Sequence, residues 1–506
     1  MKRLPLTVGL LGLSLAACGR GPQPRPAAGM GAVEHRHITT SPRRIDVAVK
    51  IRPSAASDPR IEIEVRATSD DLPRRWVVQK KWAGDEEVLE HLSAPRIECD
   101  GADADVTSDD LDTHMGWATP IRCTTAIARY VVRPPKATLE WGYEFDVVAT
   151  KELAMAIAET TLLLPDVPDE TSARVEVEFD LAALPTGATG VYSLGPGPHE
   201  TTTRALRHAY FAAGKFATIR HTAGNLTLEA NVPEMATFDL AAASRDLFHL
   251  LDAERKVFAD DHPETLRLLL VGMPGGGGAH GTSLTASAIV WRDKAATWSA
   301  EDARLASHEM FHLYNGQIIE RTAGSGTDAE TYWFSEGFTE HYTDELMRRA
   351  GVWRARDWLE AIRDRMRRYH RHPDAETPND KADMRWGGTA VQLPYLRGSM
   401  VAAYVDATLR KQSKGQKTLD DFMRHLLVRA RNNEPPVDPT AMVNLIRDEV
   451  GDAAGATVKE VALAGKRLEL PVDAFGSCVE VIGTGADQDL RVKPGVDLEA
   501  CMRAGG

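Results

Sequence analysis

The sequence predicts an α+β multidomain protein with an N-terminal antiparallel β-sandwich-like domain, a mixed central domain and a C-terminal helical region with a small cap. Two patterns indicate this order: period-two alternation occupies the first part of the chain, and helical periodicity dominates after residue 300. The length of 506 residues suggests about three domains. A hydrophobic content of 43% is enough for large cores.

Runs of alternating apolar and polar residues predict the strands of the N-terminal domain, because each run is bounded by Pro, Gly or Asp clusters. They lie at 45–51, 61–66, 129–133, 145–148 and 174–179. No motif in this domain indicates chemistry. We therefore expect it to pack against the rest of the chain and to form one wall of a cleft.

The central region alternates strands with a helix. The pattern predicts strands at 226–230, 266–271 and 287–291, and an amphipathic helix at 242–258. Between the last two strands lies a glycine-rich stretch, which either allows another backbone to approach closely or is only a flexible loop. If the first reading holds, this stretch lies at a sheet edge along which the backbone of a substrate pairs. The candidate residues for this substrate edge are Gly276, Gly277, Gly278, Ala279 and His280.

Residues 307–312 read Ser-His-Glu-Met-Phe-His, an H-E-x-x-H pattern. On a helix, His308 and His312 lie on the same face and can reach one cation, and imidazole is a preferred zinc ligand. Glu309 projects beside them, where it can act as general base toward a water molecule whose pKa zinc has lowered. Ser299 predicts the start of this helix, and Asn315–Gly316 predict its end.

A second stretch, Tyr-Trp-Phe-Ser-Glu-Gly-Phe-Thr at 332–339, supplies Glu336 as third ligand candidate and makes the short histidine pattern specific. A catalytic zinc takes three protein ligands and leaves one position for water. We expect Glu336 to open a second helix. Glu320 and Glu330 are weaker candidates for the third ligand. Glu340, one turn further on, either orients a ligand histidine or is a solvated carboxylate.

The first 18 residues have the pattern of a targeting segment. Lys2 and Arg3 precede an apolar run too short to span a membrane, which ends in Leu-Ala-Ala-Cys at Cys18. This resembles a bacterial lipoprotein signal, which implies lipidation of Cys18. Gly19 after the cysteine implies the outer membrane, facing the periplasm or the exterior. An ordinary secretory peptide is the alternative reading.

Four further cysteines fall into two sequence-local pairs, Cys99 with Cys123 and Cys478 with Cys501. An exported chain meets an oxidising compartment, so we predict these two disulfides, although four cysteines allow three connectivities. The net charge of −13 argues against nucleic acid as a partner.

Three blocks resemble one family. They read His-Glu-Met-Phe-His-Leu-Tyr-Asn at 308–315, Trp-Phe-Ser-Glu-Gly-Phe-Thr at 333–339 and Tyr-Leu-Arg-Gly-Ser-Met-Val at 395–401. Together they resemble the glycyl aminopeptidase family of gluzincin metallopeptidases, which is related to the aminopeptidase-N type. The resemblance covers roughly residues 205–475 well.

This resemblance implies a thermolysin-like catalytic domain that binds one Zn²⁺ per chain through His308, His312 and Glu336, with Glu309 as base. It also implies that Tyr395 donates to the tetrahedral oxyanion. A neutral phenol suits that role, although a tyrosine without the resemblance would be read as a packed aromatic.

The chain departs from the family pattern in two places. Ala279 stands where the aminopeptidases carry the glutamate that binds the free amino terminus of the substrate, which puts aminopeptidase specificity in doubt. Tyr314 stands in place of the usual tryptophan, which we expect to be a mild packing change.

These features predict a zinc metallopeptidase acting on a peptide or protein substrate in the cell envelope. Two alternatives stay open: a non-catalytic lipid-anchored binding protein that retains the fold, and a zinc hydrolase of non-peptide bonds. The predicted domain boundaries are a signal peptide at 1–18, a flexible tether at 19–35, the β domain at 36–210, the catalytic domain at 211–350, a helical domain at 351–450 and a cap at 451–506.

The lipoprotein interpretation predicts that Cys18→Ala abolishes lipid attachment, because only the thiol at this position can carry the diacylglyceryl group. In an expressing bacterium, wild-type protein should incorporate labelled palmitate and sediment with membranes, while Cys18→Ala should do neither. Incorporation of label into the variant would contradict the assignment.

Overall fold

The computed structural model describes residues 44–54, 58–80, 92–111, 113–134, 147–234, 239–273, 280–293, 297–319, 328–382, 390–435 and 437–504. The predicted signal peptide with Cys18, the predicted tether, and the residues 276–279 of the glycine-rich stretch lie outside these ranges. Residues 41–506 form one compact unit, and the predicted boundaries within it stay predictions. Among the described helices, none is both long and apolar enough to span a membrane.

The N-terminal region consists mainly of β-strands, as predicted, and these strands form three sheets. The strands are β1 (Arg44–Ser54), β2 (Arg60–Thr68), β3 (Arg75–Gln79), β4 (Arg96–Cys99), β5 (Ala102–Asp103), β6 (Thr107–Asp110), β7 (His114–Ala118), β8 (Thr125–Val132), β9 (Val147–Ala149), β10 (Leu153–Ile157), β11 (Leu164–Pro165), β12 (Ser172–Phe179), β13 (Thr189–Tyr192), β14 (His199–Thr202) and β15 (Tyr210–Gly214). Two short helices, α1 (Ala158–Thr161) and α2 (Thr203–Arg207), interrupt them.

The seven-stranded sheet runs β14-β12-β1-β2-β8-β4-β5, and its pairs are antiparallel except β1 with β12. Along β1, residues alternate between buried and exposed, so that Val47 and Val49 face the core while charged side chains face solvent. The two four-stranded sheets run β11-β3-β7-β6 and β13-β15-β10-β9.

A five-stranded mixed sheet in the order β16-β17-β18-β20-β19 follows. It comprises β16 (Phe216–Ala223), β17 (Leu226–Pro233), β18 (Glu264–Met273), β19 (His280–Leu284) and β20 (Ser287–Asp293), with α3 (Leu240–Phe258) as the crossover between β17 and β18. Leu268 and Val290 belong to the core shared with the helices, whereas Leu269 and Ile289 pack against Met155 of the N-terminal region. Both faces of this sheet are therefore covered.

The helical region completes the fold. Its helices are α4 (Ala300–Phe311), α5 (Asp328–Arg349), α6 (Ala355–Arg371), α7 (Leu393–Ser413), α8 (Leu419–Arg431), α9 (Pro439–Val450) and α10 (Asp452–Ala462), followed by β21 (Val479–Ile482), β22 (Asp489–Val492) and α11 (Leu498–Arg503). The segment predicted as a cap, 451–506, thus contains α10, the strands β21 and β22, and the short helix α11.

Both predicted disulfides are present. Cys99 at the end of β4 bonds Cys123 before β8, and Cys478 before β21 bonds Cys501 in α11. Each joins neighbouring segments of one region, so it stabilises that region by restricting the unfolded chain.

Glu254 on α3 is an unusual member of the core. Its side chain is 1% exposed, and Oε1 has no hydrogen-bond partner among the described residues. Burial raises the pKa of Glu254 to about 8, because the charged form would be poorly solvated there. The folded protein therefore holds Glu254 protonated at neutral pH.

This predicts a pH-dependent loss of stability. Between the ordinary pKa of 4.5 and about 8, Glu254 ionises in the unfolded chain but not in the folded one, so the free energy of unfolding falls as pH rises. Glu254→Gln removes this term. Urea unfolding at pH 5 and pH 8 should show the variant gaining on wild type by at most about 4 kcal/mol, since these conditions are three pH units apart and one unit is about 1.4 kcal/mol. Glu301→Gln, at an exposed glutamate, is the control; a pH-independent difference for Glu254→Gln would contradict the prediction.

Candidate metal centre

Helix α4 is fixed to the end of the sheet before it reaches the histidines. Ser299 caps the helix through Asp302, whose Oδ2 accepts from the Ser299 backbone N–H at 2.7 Å. Asp302 also forms a buried ion pair with Arg292 near the end of β20. The cap and the ion pair set the start of α4, and therefore the direction of its later side chains.

The three predicted ligands lie together. Nε2 of His308 is 3.1 Å from Nε2 of His312, and Oε2 of Glu336 is 3.2 Å from the first and 3.3 Å from the second. Donors bound tetrahedrally to zinc at about 2.05 Å are about 3.3 Å apart, so this spacing fits the ion. Among the described residues at this site, these three side chains form a group whose donor atoms lie close enough together to bind one metal ion.

The electrostatics of the group also favour a cation. Burial alone would raise the pKa of Glu336, but the two adjacent imidazoles outweigh burial and hold that pKa well below its usual range. Burial alone would lower the pKa of His308, but Glu336 and Glu340 raise it to about 10. The carboxylates therefore attract positive charge to the imidazoles.

The charged groups form a ladder between α4 and α5. Arg304, His308 and His312 are spaced four apart on α4, and Glu336, Glu340 and Asp344 are spaced four apart on α5, so each set shares a helix face. The helices run antiparallel, which places Arg304 opposite Asp344 (3.1 Å) and Glu340 (2.5 Å). We call these six residues the ion-pair ladder.

Glu340 is the middle one of the three acidic residues in the ion-pair ladder. Its Oε1 lies 3.0 Å from Nδ1 of His308, the ring nitrogen that faces away from the other two ligands. Its Oε2 lies 2.8 Å from Arg365 of α6, which also reaches Asp344 at 2.7 Å. Burial alone would raise the pKa of Glu340, but Arg304 and Arg365 hold it well below its usual range. Glu340 is therefore an ionised partner for His308 and is buried rather than solvated.

His312 is oriented by a turn that the sequence marks only as a helix end. After Phe311 the chain enters a wide π-helical turn, which breaks at Asn315 and at Gly316, where φ is 144°. Nδ1 of His312 lies 2.9 Å from the carbonyl oxygen of Asn315. The Asn315 amide donates to the carbonyl of Ser335, next to Glu336, and so ties the turn to α5.

Glu309 lies against the edge strand of the sheet. It is 5% exposed, and burial raises its pKa above the ordinary carboxyl value. A Cβ at Gly281 of β19 would come within 2.4 Å of Glu309 Oε1, so a side chain there would displace the Glu309 carboxylate from its position. In the described part of the sheet β19 has one neighbour, β20, and its other side is an edge.

Tyr395, in the first turn of α7, lies near the imidazoles. Its ring centroid is 6.3 Å from that of His308, with the planes 17° apart. Burial and the nearby Glu336 raise its pKa well above the ordinary value, so the hydroxyl stays protonated. A cleft of about 1310 Å³ is lined by Tyr395 and Glu340 together with Trp353 and Arg368.

Several sequence-based expectations need revision. Helix α5 starts at Asp328, not at Glu336, so Glu336 lies inside the helix. Arg365 of α6 is only 6% exposed, so this arginine does not lie on a solvated helix face. Tyr314 is buried and stacks on Phe258 with ring centroids 3.9 Å apart.

Some expectations fall outside what can be described. Glu320 and the side chain of Glu330 are not among the described residues, so the structure does not test them as ligands. Of the predicted substrate-edge residues, His280 is described, and it begins β19.

The sequence analysis did not single out Arg304, Asp344, Arg365 or Gly281, and it marked Asn315 only as a helix end. A signal existed for Arg304, which lies one turn before His308 on the same helix face. Asp344 likewise continues the spacing of Glu336 and Glu340. For Arg365 no local pattern exists, because its partners are on another helix.

Comparison with known proteins agrees with this geometry. Residues 301–404 match the M61 glycyl aminopeptidase family, which confirms the resemblance over that segment. No curated protein sequence matches the chain.

Solved structures share the fold. An aminopeptidase N family protein from Idiomarina loihiensis aligns with a TM-score of 0.69 at 15% identity, over 86% of this chain and 79% of the other. An M1 zinc metallopeptidase from Deinococcus radiodurans aligns with a TM-score of 0.56 at 13% identity, over 85% and 96%. A mutant of the latter bound to a Tyr-Ser-Ala substrate aligns with a TM-score of 0.54 at 13% identity, over 85% and 95%. The fold is of the M1 aminopeptidase type, and the family match supports a zinc metallopeptidase.

The ion-pair ladder predicts that Arg365→Met weakens zinc binding without touching a ligand. Loss of Arg365 leaves Glu340 and Asp344 undercompensated in a buried site, so Glu340 no longer holds His308 firmly. Losing such an outer partner typically costs 10–100-fold in metal affinity, so we expect a loss of about that size in competition titration with a chelator. The matched control is Arg363→Met on the same helix. It removes the ion pair between Arg363 and Asp489 of β22. Wild-type zinc affinity in Arg365→Met would refute this role.

Proposed function

We propose that the protein is a zinc-dependent peptidase that hydrolyses peptide bonds with Glu309 as general base. The observation that carries this proposal is the convergence of His308, His312 and Glu336, with Glu309 and Tyr395 beside them. A zinc ion held by the three ligands would polarise the substrate carbonyl and lower the pKa of a water molecule.

The protein side chains then have distinct tasks. Glu309 takes a proton from the attacking water as its oxygen bonds to the carbonyl carbon. The neutral Tyr395 hydroxyl donates to the carbonyl oxygen as negative charge develops there. Glu309 passes the proton to the amine nitrogen as the C–N bond breaks, which yields a free amine and a carboxylic acid that keeps the second proton of the water until it ionises.

Substrate binding uses the free edge of β19. A peptide in extended conformation can add to this edge through backbone hydrogen bonds, and Gly281 brings the strand against Glu309. The scissile bond would thereby lie beside the base. The cleft next to Tyr395 has room for substrate residues beyond that bond.

We further propose that a free amino terminus is not required. In the sequence, Ala279 carries no charge at the position where the resembling aminopeptidases have a glutamate. Backbone pairing with β19 does not distinguish a free terminus from an internal residue. The enzyme would therefore act on internal or blocked peptides as well as on free ones.

The proposal places this activity in the cell envelope, on a lipid anchor at Cys18. That part rests on the sequence of residues 1–19 alone.

A matched pair of peptides tests the function, one with a free amino terminus and one acetylated. Wild-type protein should cleave both at comparable kcat/KM and lose both activities with a chelator. Glu309→Gln should keep one zinc per chain and lose roughly 10³-fold or more in kcat, because it removes the proton acceptor.

Other outcomes discriminate between the alternatives. Cleavage of the free peptide only would indicate an aminopeptidase in which another group binds the ammonium. Cleavage of neither by the zinc-loaded protein would favour the non-catalytic binding protein, and activity on simple esters alone would favour the non-peptide hydrolase. Full activity in Glu309→Gln would refute the mechanism.

A further inference from the structure

Two glycines lie where α5 crosses α7. A Cβ built on Gly337 of α5 would be 2.3 Å from the Cα of Gly398 on α7, and one built on Gly398 would be 1.7 Å from the carbonyl oxygen of Trp333. The two helix backbones are therefore in direct contact at this crossing. Both helices carry groups of the proposed reaction close to it.

The crossing lies between those groups along the chain. Glu336 is the residue before Gly337, and Tyr395 lies three residues before Gly398, one turn away on the same face of α7. The carbonyl of Pro394, next to Tyr395, would be 2.9 Å from a Cβ at Gly337. The separation of the two helices here therefore sets how far Tyr395 stands from Glu336.

From this geometry we infer that Gly337 and Gly398 are positioning residues for Tyr395. This inference rests on the proposed function, because the hydroxyl of Tyr395 must reach the oxygen of a carbonyl held beside His308, His312 and Glu336. Because Gly337 and Gly398 have no side chains, no side-chain layer separates α5 from α7 at the crossing. This brings α7 close enough for the Tyr395 hydroxyl to make that contact.

Any side chain at Gly398 would separate the helices. Ordinary van der Waals contact needs about 3.5 Å, so a methyl group at Gly398 would move the backbones apart by roughly 1.5–2 Å. The obstructing atoms belong to the backbone of Trp333 and cannot rotate away. A displacement of about 1 Å in an active-site group can cost about 100-fold in rate.

None of the three predicted metal ligands is carried by α7. His308 and His312 belong to α4, and the ion-pair ladder joins α4 to α5 on the side of Arg304 and Glu340. Moving α7 away should therefore leave zinc bound and affect mainly the group that α7 carries, Tyr395.

The test is a double-mutant cycle between Gly398→Ala and Tyr395→Phe, with kcat, KM and zinc content measured for each protein. Gly398→Ala should keep one zinc per chain, change KM less than threefold and lower kcat by about 100-fold. Tyr395→Phe should lower kcat by about 100-fold in the wild-type background but less than threefold in Gly398→Ala, because the hydroxyl is already out of reach.

A control separates positioning from general destabilisation. Leu409→Ala, at a buried leucine further along α7, creates a cavity away from the crossing. It should lower the thermal unfolding midpoint while kcat stays within threefold of wild type, and Tyr395→Phe should keep its full effect in that background.

If Gly398→Ala does not fold, Gly337→Ala takes its place in the cycle, since its shortest obstruction is 2.3 Å rather than 1.7 Å. Multiplicative effects of the glycine and tyrosine changes, or an unchanged kcat in a folded glycine variant, would overturn the inference. Failure of the proposed function is seen separately, because the wild-type protein would then cleave neither peptide.

Discussion

The structure of the metal centre depends on the charge balance of the ion-pair ladder between α4 and α5. Each of its acids is within 3.3 Å of a partner on the opposite helix. An isolated charge in a protein interior costs several kcal/mol, so none of these groups would be tolerated there alone. The helices must therefore pack at one register, and that register brings His308, His312 and Glu336 together. Arg365 extends the requirement to α6.

The sheet supplies the second constraint. Its two faces are covered, one by helices and the other by the N-terminal region through residues such as Met155 and Leu269. Among the described strands, β16 and β19 form the two edges of this sheet, and β19 is the edge strand that passes Glu309. Under the proposed function, the N-terminal region contributes to the site by covering one face of the sheet, so that a peptide binds by backbone pairing at the edge.

The sequence predicts the parts of this site that depend on spacing within one element. His308 and His312 lie four apart, and Glu340 lies one turn after Glu336, so their shared faces follow from helix geometry. The start of α5 could not be predicted, because residues 328–335 include the aromatic run Tyr-Trp-Phe and show no apolar helical period.

Features that depend on contacts between elements could not be predicted from the sequence either. An arginine in a helix is usually solvated, and what buries Arg365 is a pair of carboxylates on a different helix. The approach of Gly281 to Glu309 and of Gly337 to Gly398 is likewise set by tertiary packing. A glycine in a sequence marks a place where a backbone can approach, but not which backbone does.

The same charge balance bears on substrate choice. Glu336 contacts the two imidazoles, and Glu340 contacts His308 and two arginines. Under the proposed function, Glu309 must remain available to accept a proton. A substrate ammonium that paired with any of these carboxylates would disturb the ligands or block the base. With alanine at position 279 in the sequence, the proposed function assigns substrate recognition to the backbone of β19 and to the cleft beside Tyr395. Neither requires a charged amino terminus, so under the proposed function the site binds the peptide by its extended backbone rather than by its end.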